Sequence, residues 1–285
     1  MPATSTPQWD LFAALTVFVL GTLLVLARAS EQAIRGTEPT PDTDQERWEW
    51  DRNRPPSVEG TATESDRQPE PTSRGDSTTT TDVGDRNGDE RQATAIDAMS
   101  ARQLLANVVL SHGLLAGVVI GGAWITEIPA AALGLLAPID RVVVIGGALG
   151  IGLYIANEIG TQLADRFDIG YDERLREALA PEEPSDWGLL LLVVLPVIAG
   201  FEELLFRGAV IGVFNMAYGV DPWILAVVSS GLFGYGHGAQ GHSGIAVTAG
   251  LGFVLATAFI LTESLLVVIV AHYLVNALEF LVHER

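Results

Sequence analysis

Residues 187–213 read Trp187-Gly-Leu-Leu-Leu-Leu-Val-Val-Leu-Pro-Val-Ile-Ala-Gly-Phe-Glu202-Glu203-Leu-Leu-Phe-Arg207-Gly-Ala-Val-Ile-Gly-Val213. As a helix this stretch is about 40 Å long, more than the roughly 30 Å of a bilayer's hydrocarbon core. Its one polar insertion falls in the middle. An ionisable side chain at a membrane helix centre costs about 2.5–3.5 kcal/mol on insertion scales, so a chain that keeps Glu202, Glu203 and Arg207 there is using them. The stretch therefore predicts a membrane helix with a functional interior.

Six further apolar segments flank it, at about 11–27, 104–125, 141–163, 222–239, 244–261 and 264–282. Together they predict an all-α, polytopic transmembrane helical bundle of about seven spans. Residues 126–140 hold two prolines and read as a loop or an interfacial helix. Glycine-rich spans, Gly113 to Gly122 and Gly146 to Gly152, suit close helix packing, because lipid removes the hydrophobic drive between helices and contact must replace it.

Nearly half of the 285 residues are hydrophobic, there is no Cys, and all 16 basic residues are Arg. Without Cys, disulfides, thiol catalysis and thiolate metal sites are excluded, so any metal must be held by His, Asp, Glu, Asn or water. A net charge of -19 opposes binding to nucleic acid or to an anionic lipid surface. Acidic surfaces without Lys also resemble those of proteins from salt-loving archaea.

Three domains are expected. Residues 1–28 form an N-terminal transmembrane anchor, uncleaved because Met1 to Asp10 lacks the basic residues of a signal peptide. Residues 29–100 form an acidic linker too poor in aliphatic residues to offset its ordering entropy, and so disordered, with Trp48 and Trp50 as stray aromatics. The rest, 101–285, is the membrane domain. Arg residues near the span ends place the N-terminus outside and the linker, the 164–186 loop and the C-terminus in the cytoplasm of a multi-pass cell-membrane protein.

Two more polar insertions accompany the first: Phe233-Gly-Tyr-Gly-His237 and His272-Tyr-Leu-Val-Asn276. Helical residues four apart share a face, so Glu203 pairs with Arg207 and leaves Glu202, about 100 degrees round, free for another partner. One Arg needs one carboxylate; a second without a task would be a stranded cost. His237 follows Phe233 by one turn, and His272 and Asn276 present an imidazole and an amide on one face of the last span. Collectively these groups supply what hydrolysis needs: a carboxylate to take a proton from water, imidazoles to orient that water or bind a metal, and donors for an oxyanion. His242 reads as a solvated loop residue, His112 as a residue hydrogen-bonded to another helix, Glu158 and Glu263 as span ends, and His283 as interfacial.

The three motifs Glu-Glu-x-x-x-Arg, Phe-x-x-x-His and His-x-x-x-Asn, in this order on successive membrane helices, resemble the CPBP (Abi) family of intramembrane proteases. That family includes the Rce1-type CAAX prenyl endopeptidases and bacteriocin-immunity proteins. The resemblance covers roughly residues 101–285 and implies an intramembrane metalloendopeptidase. It implies that Glu202 and His237 activate the attacking water, that Glu203 and Arg207 with Phe233 support the site, and that His272 and Asn276 stabilise the oxyanion. Glu202, His237 and His272 together could hold a catalytic Zn²⁺, or the water could be activated without metal. The expected partners are the lipid bilayer and a membrane-associated protein or peptide, cleaved near its C-terminus. A non-catalytic immunity-type or scaffold protein is one alternative. A proton relay is another, although no inverted repeat of broken helices is visible.

Overall fold

The computed structural model describes residues 6–35, 101–166, 179–181 and 183–284. The expected linker beyond residue 35, with Trp48 and Trp50, lies outside the described residues. Residues 1–32 and 98–285 form one unit, to which the following description applies.

Every apolar segment identified in the sequence is helical, and no strand occurs among the described residues. In chain order the helices are α1 (Trp9–Arg35), α2 (Ala101–Ile125), α3 (Ile139–Arg166) and α4 (Pro184–Tyr218). There follow α5 (Pro222–Gly236), a short 3₁₀ turn (Gly238–Gln240), α6 (Gly241–Thr262) and α7 (Leu265–His283). All except α5 are long and apolar enough to cross a membrane. The protein is an all-α, multi-pass bundle. Large apolar side chains such as Trp124, Leu192 and Leu261 stand outward and exposed. Surfaces of that kind belong in lipid, where apolar exposure carries no cost.

Helix α5 departs from the expected span at 222–239. It has 15 residues, a rise of about 22 Å, and so stops short of a bilayer's width. Its start is well defined: Gly219 adopts φ 67 to end α4, and Asp221 accepts the Trp223 and Ile224 amides ahead of Pro222. At its other end the chain turns at His237, so this histidine caps a short helix instead of lying near the end of a full crossing.

Helix α4 is the axis of the bundle. Every residue from 201 to 211 is buried, as expected only for a helix surrounded by others. Its hydrogen bonding widens to π geometry at Leu190–Val194 and again at Leu204–Val213. The first widening leads into Pro196, which has no N–H for the ladder and whose ring would crowd the carbonyl four residues back. Within the second, the Phe206 carbonyl accepts from Ser229 of α5 at 2.8 Å, which ties the two helices together.

Of the 126–140 segment, residues 126–138 form a loop of turns and the last two begin α3. The loop threads Ala132 and Leu133 into the core, against Gly208 and Gly212 of α4. Helix α1 is part of the same core: Phe12 and Val19 are buried with Val119 and Ala123, and Tyr218 donates to Asp10 at 2.8 Å.

Helices α3 and α7 meet through Gly146 and Gly150, a small-xxx-small pair. A Cβ on Gly150 would lie 2.8 Å from Leu274 Cβ and 2.9 Å from the Ala271 carbonyl oxygen, with no flexible group to give way. Gly150→Ala is therefore expected to destabilise the bundle by about 1–3 kcal/mol, as overpacking does. Gly147, with nothing within 4 Å of the added Cβ, is the control. Thermal unfolding in detergent should separate the two variants.

Candidate functional site

Arg207 is completely buried, and its partners show how α4 organises the site. Its Nη1 donates to Glu203 Oε1 at 3.0 Å, and its Nη2 donates to the Gly252 carbonyl of α6 at 2.8 Å. The guanidinium also lies 4.7 Å from the centre of the Phe233 ring, a cation–π contact from α5. Gly252 permits this approach, since a Cβ there would come within 3.3 Å of Arg207 Nη2 and 3.0 Å of Phe233. One cation thus binds three helices together. The i,i+4 pairing expected for Glu203 and Arg207 is present in the structure.

His272 of α7 is buried and stands between both carboxylates. Its Nδ1 lies 2.7 Å from Glu203 Oε1, and its Nε2 lies 3.7 Å from Glu202 Oε2. A carboxylate oxygen accepts, so the ring carries a hydrogen on Nδ1 and turns Nε2 toward Glu202. Glu203 therefore has two partners, Arg207 and His272. Among the described residues Glu202 has none at hydrogen-bond distance, and its Oε2, like that of Glu203, is buried without a partner. The cluster holds two carboxylates and one guanidinium, and Glu202 is the carboxylate that the guanidinium does not bond.

His237 is half-buried at the end of α5, with Nδ1 2.8 Å from the Phe233 carbonyl oxygen and its ring 4.7 Å from the Phe233 ring. Phe233 in turn meets the His272 ring edge-on at 6.0 Å. Phe233 thus touches Arg207, His237 and His272 and acts as the apolar centre of the site. His237 itself makes no ion pair with Glu202 among the described residues. Asn276, one turn beyond His272, is half-buried and has no hydrogen-bond partner among the described residues. The structure brings Glu202, Glu203, Arg207, Phe233 and His272 into one connected cluster and places His237 against its Phe233 side.

A residue read from sequence as an interhelical hydrogen-bonding group also arrives here. His112 of α2 puts Nε2 3.9 Å from Glu202 Oε1, while its Nδ1 lies 3.1 Å from the Val108 carbonyl oxygen of its own helix. Its ring packs edge-on against Phe201, the neighbour of Glu202, at 5.5 Å. A lone histidine in Val-Leu-Ser-His-Gly-Leu-Leu carries no motif. Its only signal in the sequence was an unexplained imidazole halfway along a membrane span.

The donor chemistry of one carboxylate and several imidazole Nε2 atoms is that of zinc. Among the described residues, however, no three His, Asp or Glu side chains are arranged to hold a metal ion, so no step is derived through one. His242 is exposed, Glu263 ends α6 in a left-handed turn at φ 51, and His283 pairs with Glu158 at 3.0 Å. None of these three contacts the cluster.

A polytopic helical bundle enclosing a carboxylate–imidazole site at its axis defines the class: a multi-pass membrane protein with a buried polar centre. Residues 184–278, about a third of the chain, match the family model described as Rce1-like, type II CAAX prenyl endopeptidase Rce1-like, and in this region the chain is similar to that family. The matched segment runs from the start of α4 into the last turns of α7. It contains Glu202, Glu203, Arg207, Phe233, His237, His272 and Asn276, but not His112. No curated protein and no solved structure matches the chain.

Proposed function

We propose that the chain is an intramembrane endopeptidase that hydrolyses a peptide bond near the C-terminus of a membrane or lipid-anchored protein, with Glu202 as the base. The observation that carries this reading is the carboxylate that Arg207 does not bond. Glu203 is bonded through Oε1 by both Arg207 and His272, whereas Glu202 has no hydrogen-bond partner among the described residues and is faced by the Nε2 atoms of His112 and His272, within a segment similar to the Rce1-like family. A buried group kept at such cost, in a matrix of low dielectric, is suited to taking a proton.

The supporting roles follow from donor and acceptor chemistry. Glu203 and Arg207 hold the site rigid, and Glu203 sets the tautomer of His272, an arrangement familiar from orienting carboxylates behind working histidines. His272, bonded through Nδ1 to Glu203, turns Nε2 toward Glu202 and stands one turn from Asn276 on the oxyanion side. The oxyanion formed on the scissile carbonyl needs a donor, and the Asn276 amide supplies one in every protonation state. His237, pinned through Nδ1, offers its Nε2 lone pair from the Phe233 side as the second water-activating group. The 101–285 region is the catalytic unit in this reading.

Reconstitution in liposomes with a fluorogenic peptide ending in a prenylated Cys-aliphatic-aliphatic-X sequence tests the proposal. Cleavage is expected with wild-type protein, and undiminished cleavage by both Glu202→Ala and His237→Ala would sink the site assignment. Because no three His, Asp or Glu side chains among the described residues are arranged to hold a metal ion, protein stripped of metal by a chelator is expected to remain active. Activity that follows bound zinc, one ion per chain, with the zinc lost in each of Glu202→Ala, His237→Ala and His272→Ala, would instead identify these three as its ligands.

A further inference from the structure

We propose that His112 is a catalytic residue: its Nε2 and Glu202 Oε1 together hold the water that attacks the scissile bond. The inference rests on the proteolytic reading above, and it adds a residue from α2, outside the matched family segment.

The first support is the gap. At 3.9 Å, His112 Nε2 and Glu202 Oε1 are too far apart for a direct hydrogen bond, but the distance suits one bridging molecule. Two hydrogen bonds of about 2.8 Å made by one water set their acceptors about 4.4 Å apart, close to what is observed. The second support is the tautomer. The Val108 carbonyl can only accept, so His112 carries a hydrogen on Nδ1, and in the neutral ring its Nε2 is an acceptor. Glu202 is an acceptor as well. A water between two acceptors donates both hydrogens, and its lone pairs point away from both, as a nucleophile requires.

The third support is access. The opposite gap, between His272 Nε2 and Glu202 Oε2, is closed: the His272 side chain is 4% exposed and Oε2 has no accessible surface to speak of. His112 is 22% exposed and the Glu202 side chain retains 10%, so what access the carboxylate has lies away from Oε2. The exposed part of this carboxylate–imidazole pair therefore lies on the His112 side. The edge-on packing against Phe201 and the Ser111 hydroxyl, 3.3 Å from Nδ1, fix the ring in this orientation.

The chemistry balances without charging His112. As the water oxygen bonds to the carbonyl carbon, one proton passes to Glu202 and the carbonyl π pair moves to its oxygen. The other hydrogen stays on the attacking oxygen, directed at His112 Nε2. On collapse the C=O bond re-forms, the C–N bond breaks, and Glu202 returns its proton to the departing amine. The products are a carboxylic acid and an amine, and the site is restored.

The test uses full-length protein in liposomes with the same prenylated fluorogenic peptide. His112→Ala is expected to lower kcat about 10²-fold, the lower end for a group assisting proton transfer, with KM changed less than about twofold. His112→Gln, whose amide oxygen accepts the same hydrogen bond, should recover part of the loss. On a Glu202→Gln background, His112→Ala should add nothing further, because the two act on one water. An unchanged kcat in His112→Ala overturns the inference and leaves the proteolytic reading standing, and so does an equal loss on both backgrounds, the mark of a merely structural role. Wild-type protein that cleaves no probe sinks the proteolytic reading, and the water site is then decided by a high-resolution map. Ordered density bridging Nε2 and Oε1 that disappears in His112→Ala upholds the bridge, and a map without it overturns the inference.

Discussion

Glu202→Gln is expected to lower kcat by about 10²- to 10⁴-fold, the range for loss of a general base, while leaving the protein folded and at least as heat-stable as wild type. The two halves of this expectation come from one count. The buried cluster has two carboxylates, Glu202 and Glu203, and one guanidinium, Arg207. Glu203 is bonded by Arg207 at 3.0 Å, and Glu202 has no hydrogen-bond partner among the described residues. A buried carboxylate without a hydrogen-bond partner is costly, and the amide keeps the same shape without the charge. Activity measured on reconstituted protein and a melting curve in detergent check the two halves. A large fall in melting temperature would show that Glu202 is structural, and retained turnover would remove it from the chemistry.

Arg207→Met has the largest expected effect on stability. The side chain is completely buried and serves Glu203, the Gly252 carbonyl and the Phe233 ring at once. Its removal leaves two carboxylates at the bundle axis with no cation. Breaking a buried pair from one side typically costs about 3–5 kcal/mol, a large part of the stability of a domain. The double variant Glu203→Gln with Arg207→Met should recover much of that loss, because the amide oxygen still accepts from His272 Nδ1 while the stranded charge is gone. The readout is the unfolding midpoint of the single and double variants. Equal destabilisation in both would mean that the contacts to Gly252 and Phe233, and not the ion pair, carry the stability.

These expectations show how far the residues could be read in advance. Helix content and the positions of the crossings were legible because each segment is a long apolar run, and length against bilayer thickness needs no tertiary information. The Glu203–Arg207 pair was legible because i,i+4 neighbours meet within a single helix. Helix α5 was misjudged in length: apolar residues continue to Ala239, but the glycines around His237 turn the chain after Gly236. Composition records apolarity and says little of where a glycine-rich run bends.

Sequence alone thus determined the class, an all-α membrane bundle, and the chemical inventory of the polar insertions, with no thiol available to it. Three things were left to the tertiary structure. His272 was placed to bind Glu203 and face Glu202, across 69 residues of chain. Helix α1, outside the matched segment, was built into the core through Phe12 and Val19. His112, ninety residues before Glu202, was brought to within 3.9 Å of it. The physical reason is common to all three. Hydropathy and helical spacing are local and report what one helix can do by itself, whereas which face of α2 or α7 meets α4 depends on packing that only the assembled bundle specifies.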